Sequence, residues 1–490
     1  MVTIIPNSNR RRLRRDPIIA ALDLIDTSMF DASHRVFWEL PYGGPIYFED
    51  GIVCISNKDL SVLLASASFG GTIAAVRHLV RNNIGVGVLS SQRLDAAAWS
   101  RHTARVYSAP PESKGQPFLE RLVAIGAADH GKILLPTSDQ TAWIYAKNAA
   151  LLARYFCMYQ PSTATLQRIL DKKLLADAAI NAGLTVLPSW DPQNIDDVAE
   201  LAPNLPYPIL IKPRTHVHRL RHDKGMVVYS SSELLRKYQL FLDRERVRTA
   251  DNRVLADAHL PILQQFVRVG SEGVHSVTGF IDRTGELFVT RSATKVLQRS
   301  QPIGVGLCFE SLPPAPALSD AVRRLCRELE YFGIFEVEFV LFDGRWAVID
   351  FNPRLFNQIG MDIRRGMPLP FLACLDAAGD TTSLREAVRK AQVQESERIV
   401  FCDRFSLRAF LFAQTITRRI SHEDRAYWRA WLRKNAADAV DYVADRSDPV
   451  PSLIHSLSQI YLGVKALPRF MRLTALDAAW MPQQVIQESS

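Results

Sequence analysis

Oxygen-bearing side chains alternate in Ile349-Asp350-Phe351-Asn352-Pro353-Arg354, well inside a chain of 490 residues. On a β-strand residues i and i+2 project from one face. Asp350 and Asn352 therefore present a carboxylate and an amide carbonyl side by side, hard donors suited to Mg²⁺, and Arg354 follows two residues on. Upstream, Glu336 and Glu338 have the same spacing, and Asp343-Gly344 between the two runs is a hairpin turn signal. Register decides whether the acidic faces meet. A two-residue loop, Asp343-Gly344, pairs Glu338 with Ile349 and turns Asp350 away. A three-residue loop, Asp343-Gly344-Arg345, pairs Glu338 with Asp350. A shared cation thus requires an odd-length or bulged turn. Two facing carboxylates repel each other without one. The competing reading is a solvated acidic face on an edge hairpin, against which stand the apolar residues crowding both strands.

Complementary charge comes from elsewhere in the chain. Lys212 closes the apolar run Ile209-Leu210-Ile211, and Asp171-Lys172 opens a helical segment about forty residues earlier. Each alone is routine. Together with the basic loop Arg214–Lys224 and the Lys224-Gly225 pair that follows it, they supply point charges for a triphosphate, whose oxygens favour charge-assisted hydrogen bonds.

The elements that must position these groups follow from periodicity. Thr163–Leu170 and Lys172–Ala182 read as helices, the second ending at Gly183. Ile209–Lys212, Met226–Tyr229, Ile262–Val267, Gly273–Ile281 and Glu286–Arg291 read as β segments. Asp320–Tyr331 reads as an amphipathic helix, and Phe335–Phe342 with Arg345–Phe351 as the hairpin. Before them, Ser61–Ala65, Ile84–Leu89 and Ile133–Pro136 are short buried-strand runs alternating with helical spacing at Thr72–Asn82, which predicts a parallel α/β layer. Gly70-Gly71 is read as a tight turn, with phosphate binding at the helix start as the lesser alternative. After about Cys374 the pattern is mostly helical; Ser456–Leu473 is amphipathic, basic and interrupted by Pro468. The expected division is an N-terminal extension (1–60), a parallel α/β domain (61–160), a second, larger domain (161–375) and a mostly helical region (376–490).

Composition excludes several classes. Hydrophobic residues are 47% and charged residues 22% of the chain, ordinary for a globular protein and against a disordered or collagen-like one. No apolar run approaches the ~20 residues of a membrane span. The net charge of +8 is mild over this length, and the run Asn9–Arg15 is read as a solvated arm. No aromatic–basic interleaving recurs, so nucleic acid is not an expected partner. Six scattered cysteines without C-x-x-C spacing and histidines without ligand spacing argue for buried thiols, a cytoplasmic location and no zinc site.

The ordered set Asp171-Lys172, Ile211-Lys212-Pro213, Lys224-Gly225-Met226, Gln264-Gln265-Phe266-Val267, Gly270-Ser271-Glu272-Gly273, Val337-Glu338-Phe339 and Asp350-Phe351-Asn352-Pro353-Arg354 resembles the ATP-grasp superfamily. It is most similar to carboxylate–amine ligases and to the ATP-binding part of carbamoyl-phosphate synthase and biotin carboxylase. Ser100-Arg101 and Pro136-Thr137-Ser138-Asp139 look like that group's pre-ATP-grasp domain. The resemblance covers roughly residues 61–375. It implies an α/β fold overall: a pre-ATP-grasp parallel α/β domain, a two-lobed α+β ATP-grasp domain and a helical C-terminal region.

By the same resemblance, Lys172 and Lys212 contact the phosphates of ATP, and Arg214–Lys224 with Gly225 closes over them. Gln264, Gln265 and Val267 line the adenine edge, and Glu272 holds the ribose. Glu338, Asp350 and Asn352 bind Mg²⁺ (or Mn²⁺), Arg354 sits near the reacting group, and Lys295 and Arg299 meet the acceptor. Three departures stand out. The phosphate loop is bulky and basic rather than glycine-rich, Gln264 stands where an acid is common, and Asp350 stands where a glutamate is common. The implied reaction is ATP-dependent joining of a small-molecule carboxylate to an amine through an acyl phosphate, with self-association left open. Activation of bicarbonate in the manner of carbamoyl-phosphate synthesis, and a non-catalytic ATP-binding scaffold, are the alternatives.

Overall fold

A computed structural model describes residues 47–49, 52–54, 60–217, 225–244, 260–269, 273–299, 305–394, 398–416, 422–435 and 439–472. The first layer alternates strand and helix: β1 (Ser61–Leu64), α1 (Gly70–Arg81), β2 (Gly85–Ser90), β3 (Arg105–Ser108), α2 (Gln116–Ala128), β4 (Ile133–Leu135), α3 (Asp139–Lys147) and β5 (Cys157–Met158). The strands form one parallel sheet in the order β3-β2-β1-β4-β5. Parallel strands covered on both faces read as unbroken apolar runs; Val62, Leu63 and Leu64 are buried, as are Ile133, Leu134 and Leu135. The strand order reverses between β1 and β4, which makes their carboxyl ends the switch point of the sheet.

Gly70 and Gly71 are not a turn. They are the first residues of α1, and a Cβ on Gly71 would collide with the Phe356 carbonyl, one on Gly70 with the ring of Tyr442. Close approach, rather than reversal of the chain, selects glycine here.

Two capped helices come next. Ser162 caps α4 (Thr163–Leu170) by accepting from Thr165 N. Asp171 caps α5 (Lys172–Asn181) by accepting from Lys173 N and Leu174 N, which fixes Lys172 at the first helical position. The chain then distributes strands between two sheets. β6 (Thr185–Val186) joins the larger, while β7 (Ser189–Trp190), β8 (Ile209–Lys212), β9 (Met226–Val228) and β10 (Ile262–Gln265) make a four-stranded sheet in the order β9-β8-β10-β7. β10 ends at Gln265, so Val267 lies beyond the strand expected to reach it.

The larger sheet has eight strands. β11 (Val274–Ile281), β12 (Phe288–Arg299), β13 (Val305–Leu312), β14 (Gly333–Phe342) and β15 (Arg345–Asn352) are its body, with helix α6 (Pro316–Glu328) inserted before β14. Alternation assigns its faces. Val277, Phe335, Val337, Phe339 and Phe351 pack with Leu166, Leu175, Val322 and Leu325 from α4, α5 and α6, leaving the intervening polar residues on the opposite face. β12 runs eight residues past Arg291, where the sequence suggested it would stop, and so carries Lys295 on a strand. After β15, the short helix α7 (Ile359–Arg364) lies near the polar face.

The C-terminal part is helical as expected but also supplies β16 (Val400–Cys402) and β17 (Ala439–Asp441), which extend the large sheet beyond β13. The following loop grips α1. Arg77 Nε donates to Asp448 Oδ2 at 2.9 Å, Arg77 Nη1 to Val443 O at 2.7 Å, and Ser100 Oγ to Asp448 Oδ2 at 2.7 Å. Helix α8 (Val450–Arg472) continues through Pro468 without the expected interruption. It buries Ile454 and His455 but leaves Leu453, Ile460 and Tyr461 exposed.

Candidate functional site

The β14–β15 hairpin meets the register requirement in its own way. Phe342 pairs with Arg345 across a two-residue Asp343-Gly344 turn, as in the arrangement expected to turn Asp350 away. The register then shifts between Glu338 and Phe339: Phe339 pairs with Val348, Glu338 with Asp350 and Glu336 with Asn352. Ile349 is the extra residue of a β-bulge inside the strand, so the irregularity sits in β15 and not in the turn. Glu336, Glu338, Asp350 and Asn352 consequently share one buried face.

Three lysines arrive from three elements. Lys172, at the start of α5, forms an ion pair with Asp350. Its backbone N donates to Arg214 O at 2.9 Å, and Arg214 Nε in turn meets Asp171 Oδ2 at 2.7 Å, which ties the start of the basic loop to the helix cap. Lys295, on β12, donates to Glu338 Oε1 at 2.5 Å. Burial alone would lower the Lys295 ammonium, but Glu338 and Glu336 together hold its pKa above the ordinary lysine range. Lys212, at the end of β8, donates to Ile349 O at 2.7 Å and to Gln264 Oε1 at 3.5 Å. The carbonyl of the bulge residue is thus a point where the four-stranded sheet touches the eight-stranded one.

Glu336 is held by neutral donors: Ser276 Oγ at 3.1 Å, Asn352 Nδ2 at 3.0 Å, and Gln358 Nε2. Burial first, then the neighbouring Glu338 charge, push its carboxyl up to about 7. Asn352 turns its amide oxygen to Arg354 Nη2 at 2.9 Å, while Arg354 Nε meets Asp139 Oδ1 at 2.7 Å in the first turn of α3. Burial would raise Asp139, yet the Arg354 guanidinium holds it below the usual carboxylate range.

Of the residues expected from sequence, Lys172, Lys212, Lys295, Glu338, Asp350, Asn352 and Arg354 converge. Gln264 joins through Lys212 and donates to Ser189 Oγ at 3.1 Å. Gln265 N bonds Pro188 O at 2.8 Å, and Val267 packs beside Leu187 and Val340 away from the charges. Gly225 sits at φ +150°, where a Cβ would meet the Ile211 carbonyl. Lys224, Glu272 and the side chain of Arg299 lie outside the described residues, as does 218–224 of the basic loop. Sequence reasoning missed Ser276 and Gln358, whose contacts depend on pairing β11 with β14 and on the path after β15. It also noted Asp139 without finding its ion pair to Arg354.

Whether these groups suit a divalent cation can be judged from their donors. Among the described residues, no three His, Cys, Asp or Glu side chains stand grouped to hold a metal; lysine ammonium groups hold the carboxylates instead. The donor chemistry nonetheless fits. Two carboxylates and an amide oxygen on facing strands are hard ligands of the type Mg²⁺ takes.

No protein-family model matches the chain, and no curated protein does. Solved structures do. The biotin carboxylase domain of Hydrogenobacter thermophilus 2-oxoglutarate carboxylase, crystallised as a dimer with MgADP, ADP and bicarbonate, has a TM-score of 0.53 at 15% identity, over 66% of this chain and 70% of that one. Biotin carboxylase from Campylobacter jejuni, in a β,γ-ATP complex, gives 0.52 at 14% identity over 65% and 71%. N5-carboxyaminoimidazole synthetase from Staphylococcus aureus with ADP gives 0.50 at 14% identity over 65% and 77%. The shared architecture is the ATP-grasp fold. Among the described residues, no helix is long and apolar enough to cross a membrane.

Proposed function

We propose that this chain is an ATP- and Mg²⁺-dependent ligase that activates a small-molecule carboxylate as an acyl phosphate and joins it to an amine. The observation that carries this reading is the bulged hairpin, with Glu338 opposite Asp350 and Glu336 opposite Asn352, under lysines from α5, β8 and β12. In it, residues 61–160 act as the pre-ATP-grasp domain, 161–375 as the ATP-grasp domain and 376–490 as a helical appendage.

A carboxylate is a poor electrophile, so the γ-phosphoryl group of ATP is transferred to it before the amine attacks. Such transfer asks the protein for position and charge rather than covalent help. Lys172 and Lys212 orient the phosphates, and Lys224 and Gly225 belong to the loop that covers them. Gln264, Gln265 and Val267 line the adenine side, and Glu272 takes the ribose hydroxyls. Glu338, Asp350 and Asn352 hold Mg²⁺ (or Mn²⁺), which when bound neutralises the terminal phosphates. Arg354 stabilises charge at the reacting carbonyl, and Lys295 and Arg299 meet the acceptor.

The test is phosphate release from ATP with purified protein, Mg²⁺ and a panel of amino acids, products being identified by mass spectrometry. Release that depends on both a carboxylate and an amine supports the ligase. The likeness to two biotin carboxylases favours one second reading, bicarbonate activation, for which release would require bicarbonate and no amine. ATP binding without release under any acceptor would overturn both.

A further inference from the structure

Away from the charged face, two thiols meet where the C-terminal region joins the large sheet. Cys308 on β13 lies directly opposite Cys402 on β16. The flanking backbone bonds define what kind of pair they make. Asp403 N donates to Leu307 O at 3.1 Å, and Ser311 N donates to Ile399 O at 2.9 Å. Hydrogen-bonded and non-hydrogen-bonded pairs alternate along an antiparallel ladder, and these bonds assign Cys308 and Cys402 to a non-hydrogen-bonded one. There the Cα atoms approach to about 4.5 Å and the side chains are closest. A disulfide spans Cα separations of about 4.4–6.8 Å, so the backbone already stands at bridging distance. The thiols also touch: Cys308 donates its S–H to Cys402 Sγ.

The two sulfurs are not equivalent. The hydrogen bond from Cys308, and with it the Arg404 guanidinium, hold the Cys402 thiol below the ordinary thiol range, which makes Cys402 the sulfur that ionises and attacks. Burial pushes Cys308 well above that range, so it stays protonated beside its partner. Both are buried in an apolar cluster with Leu297, Leu407, Trp428 and Trp431, a setting that favours a small oxidant over a bulky one. β16 has three residues and pairs with β13 at three positions, so a local opening far short of unfolding the sheet reaches both sulfurs. β17 is joined to the sheet through β16, and a bond between Cys308 and Cys402 would hold both strands in place.

We propose that Cys308 and Cys402 form a dithiol site oxidised by hydroperoxides, and that its disulfide staples β16, and with it the C-terminal region, to the large sheet. The Cys402 thiolate attacks hydrogen peroxide: an S–O bond forms, the O–O bond breaks, and the leaving oxygen takes up the proton that Cys402 released, giving water. Cys308 sulfur then attacks the Cys402 sulfenic acid. The S–S bond forms, the S–O bond breaks, and the Cys308 proton leaves with the hydroxide as the second water. Two thiols lose two electrons, and one hydrogen peroxide becomes two waters. None of this depends on the ligase reading.

The test uses purified full-length protein, reduced and then freed of reductant. It is treated with hydrogen peroxide at neutral pH, quenched with catalase, unfolded in N-ethylmaleimide and digested for mass spectrometry. The expected product is a monomeric chain that has lost two alkylatable thiols and yields a linked peptide pair containing Cys308 and Cys402. Cys326 and Cys374, buried in other clusters, are expected to be alkylated. The melting temperature should rise by about 4 °C, since a bridge closing a long loop restrains the unfolded chain. Cys402→Ala should show neither the link nor the rise; because the linked peptides are read on wild type, a variant that fails to fold leaves the test intact. Both cysteines alkylated after peroxide, or a link to another thiol in place of this one, overturns the inference. So does Cys402 recovered as sulfinic acid without the link, or a linked chain that melts no higher than the reduced one.

Discussion

Two of the site carboxylates face ammonium groups across a short distance, Asp350 to Lys172 and Glu338 to Lys295. Deleting one member of such a buried pair leaves the other charged and desolvated, at about 3–5 kcal/mol, so truncation would confuse stability with catalysis. Asp350→Asn and Lys212→Met keep the volume. Each is expected to lower turnover by about 10²–10³-fold with an unchanged far-UV circular dichroism spectrum, and wild-type rates in either would refute the assignment of phosphate-side roles. A different residue contributes to the response to acid. His275, on β11, points away from the charged face and packs against the Trp346 ring at 4.8 Å. Burial lowers its pKa to about 4, so the folded chain binds fewer protons there than the unfolded chain does. Its share of stability is intact above the unfolded value near 6.5 and is lost as pH falls from there towards 4, at up to about 1.4 kcal/mol per pH unit. Chemical denaturation at pH 7 and pH 5 should show His275→Phe losing less stability between the two than wild type. Equal losses would place the acid sensitivity elsewhere.

Elements join where single residues bridge them, and two joints are open to test. Asp448 satisfies Arg77, Ser100 and the Arg101 backbone at once, with Arg77 and Asp448 both buried. Asp448→Ala is expected to cost about 3–5 kcal/mol and to lower the melting temperature markedly without changing the phosphate-side residues. Gly71→Ala would force α1 off the Phe356 backbone, and through the residues after β15 would disturb Gln358 and its contact to Glu336. It should therefore reduce both stability and activity, whereas Gly183→Ala, where nothing lies near the added methyl but φ is +77°, should cost stability alone. At this scale the sequence is informative where a local rule applies. The helices Thr163–Leu170 and Lys172–Ala182 and the strand Ile209–Lys212 follow from periodicity, and the structure adds the caps Ser162 and Asp171 that start the two helices. The Gly70-Gly71 pair misled because its glycines answer to Phe356 and Tyr442, hundreds of residues away, and no local pattern carries that.

At the largest scale, residues from the five-stranded and the four-stranded sheet layers, Asp139 and Lys212 among them, reach the hairpin that carries the polar face of the eight-stranded sheet. Charge spacing made its acid and amide donors legible, and the ordered motifs brought in the lysines. Contacts made by Ser276, Gln358 and Asp139 were not legible, since they depend on which strands and helices become neighbours. β16 and β17 were hidden for a similar reason: three-residue strands have no periodicity to detect, and β16 forms on the edge that β13 leaves open while β17 forms on the edge of β16. The appendage is expected to be structural for the rest. A chain ending before Ala439 loses β17, Tyr442 and Asp448 together, and should melt about 10 °C or more below the full chain or fail to stay in solution. An unchanged melting curve would show the appendage to be independent.

Counting along the hairpin isolates what Ile349 contributes. If that residue were deleted, Phe339 would still lie across from Val348, and the next residue across from Glu338 would still be Asp350, so an uninterrupted ladder could display the same acids. The one product of the insertion that no substitution can replace is an extra main-chain oxygen, and Lys212 donates to it. Natural selection on that position would act on chain length rather than side-chain identity.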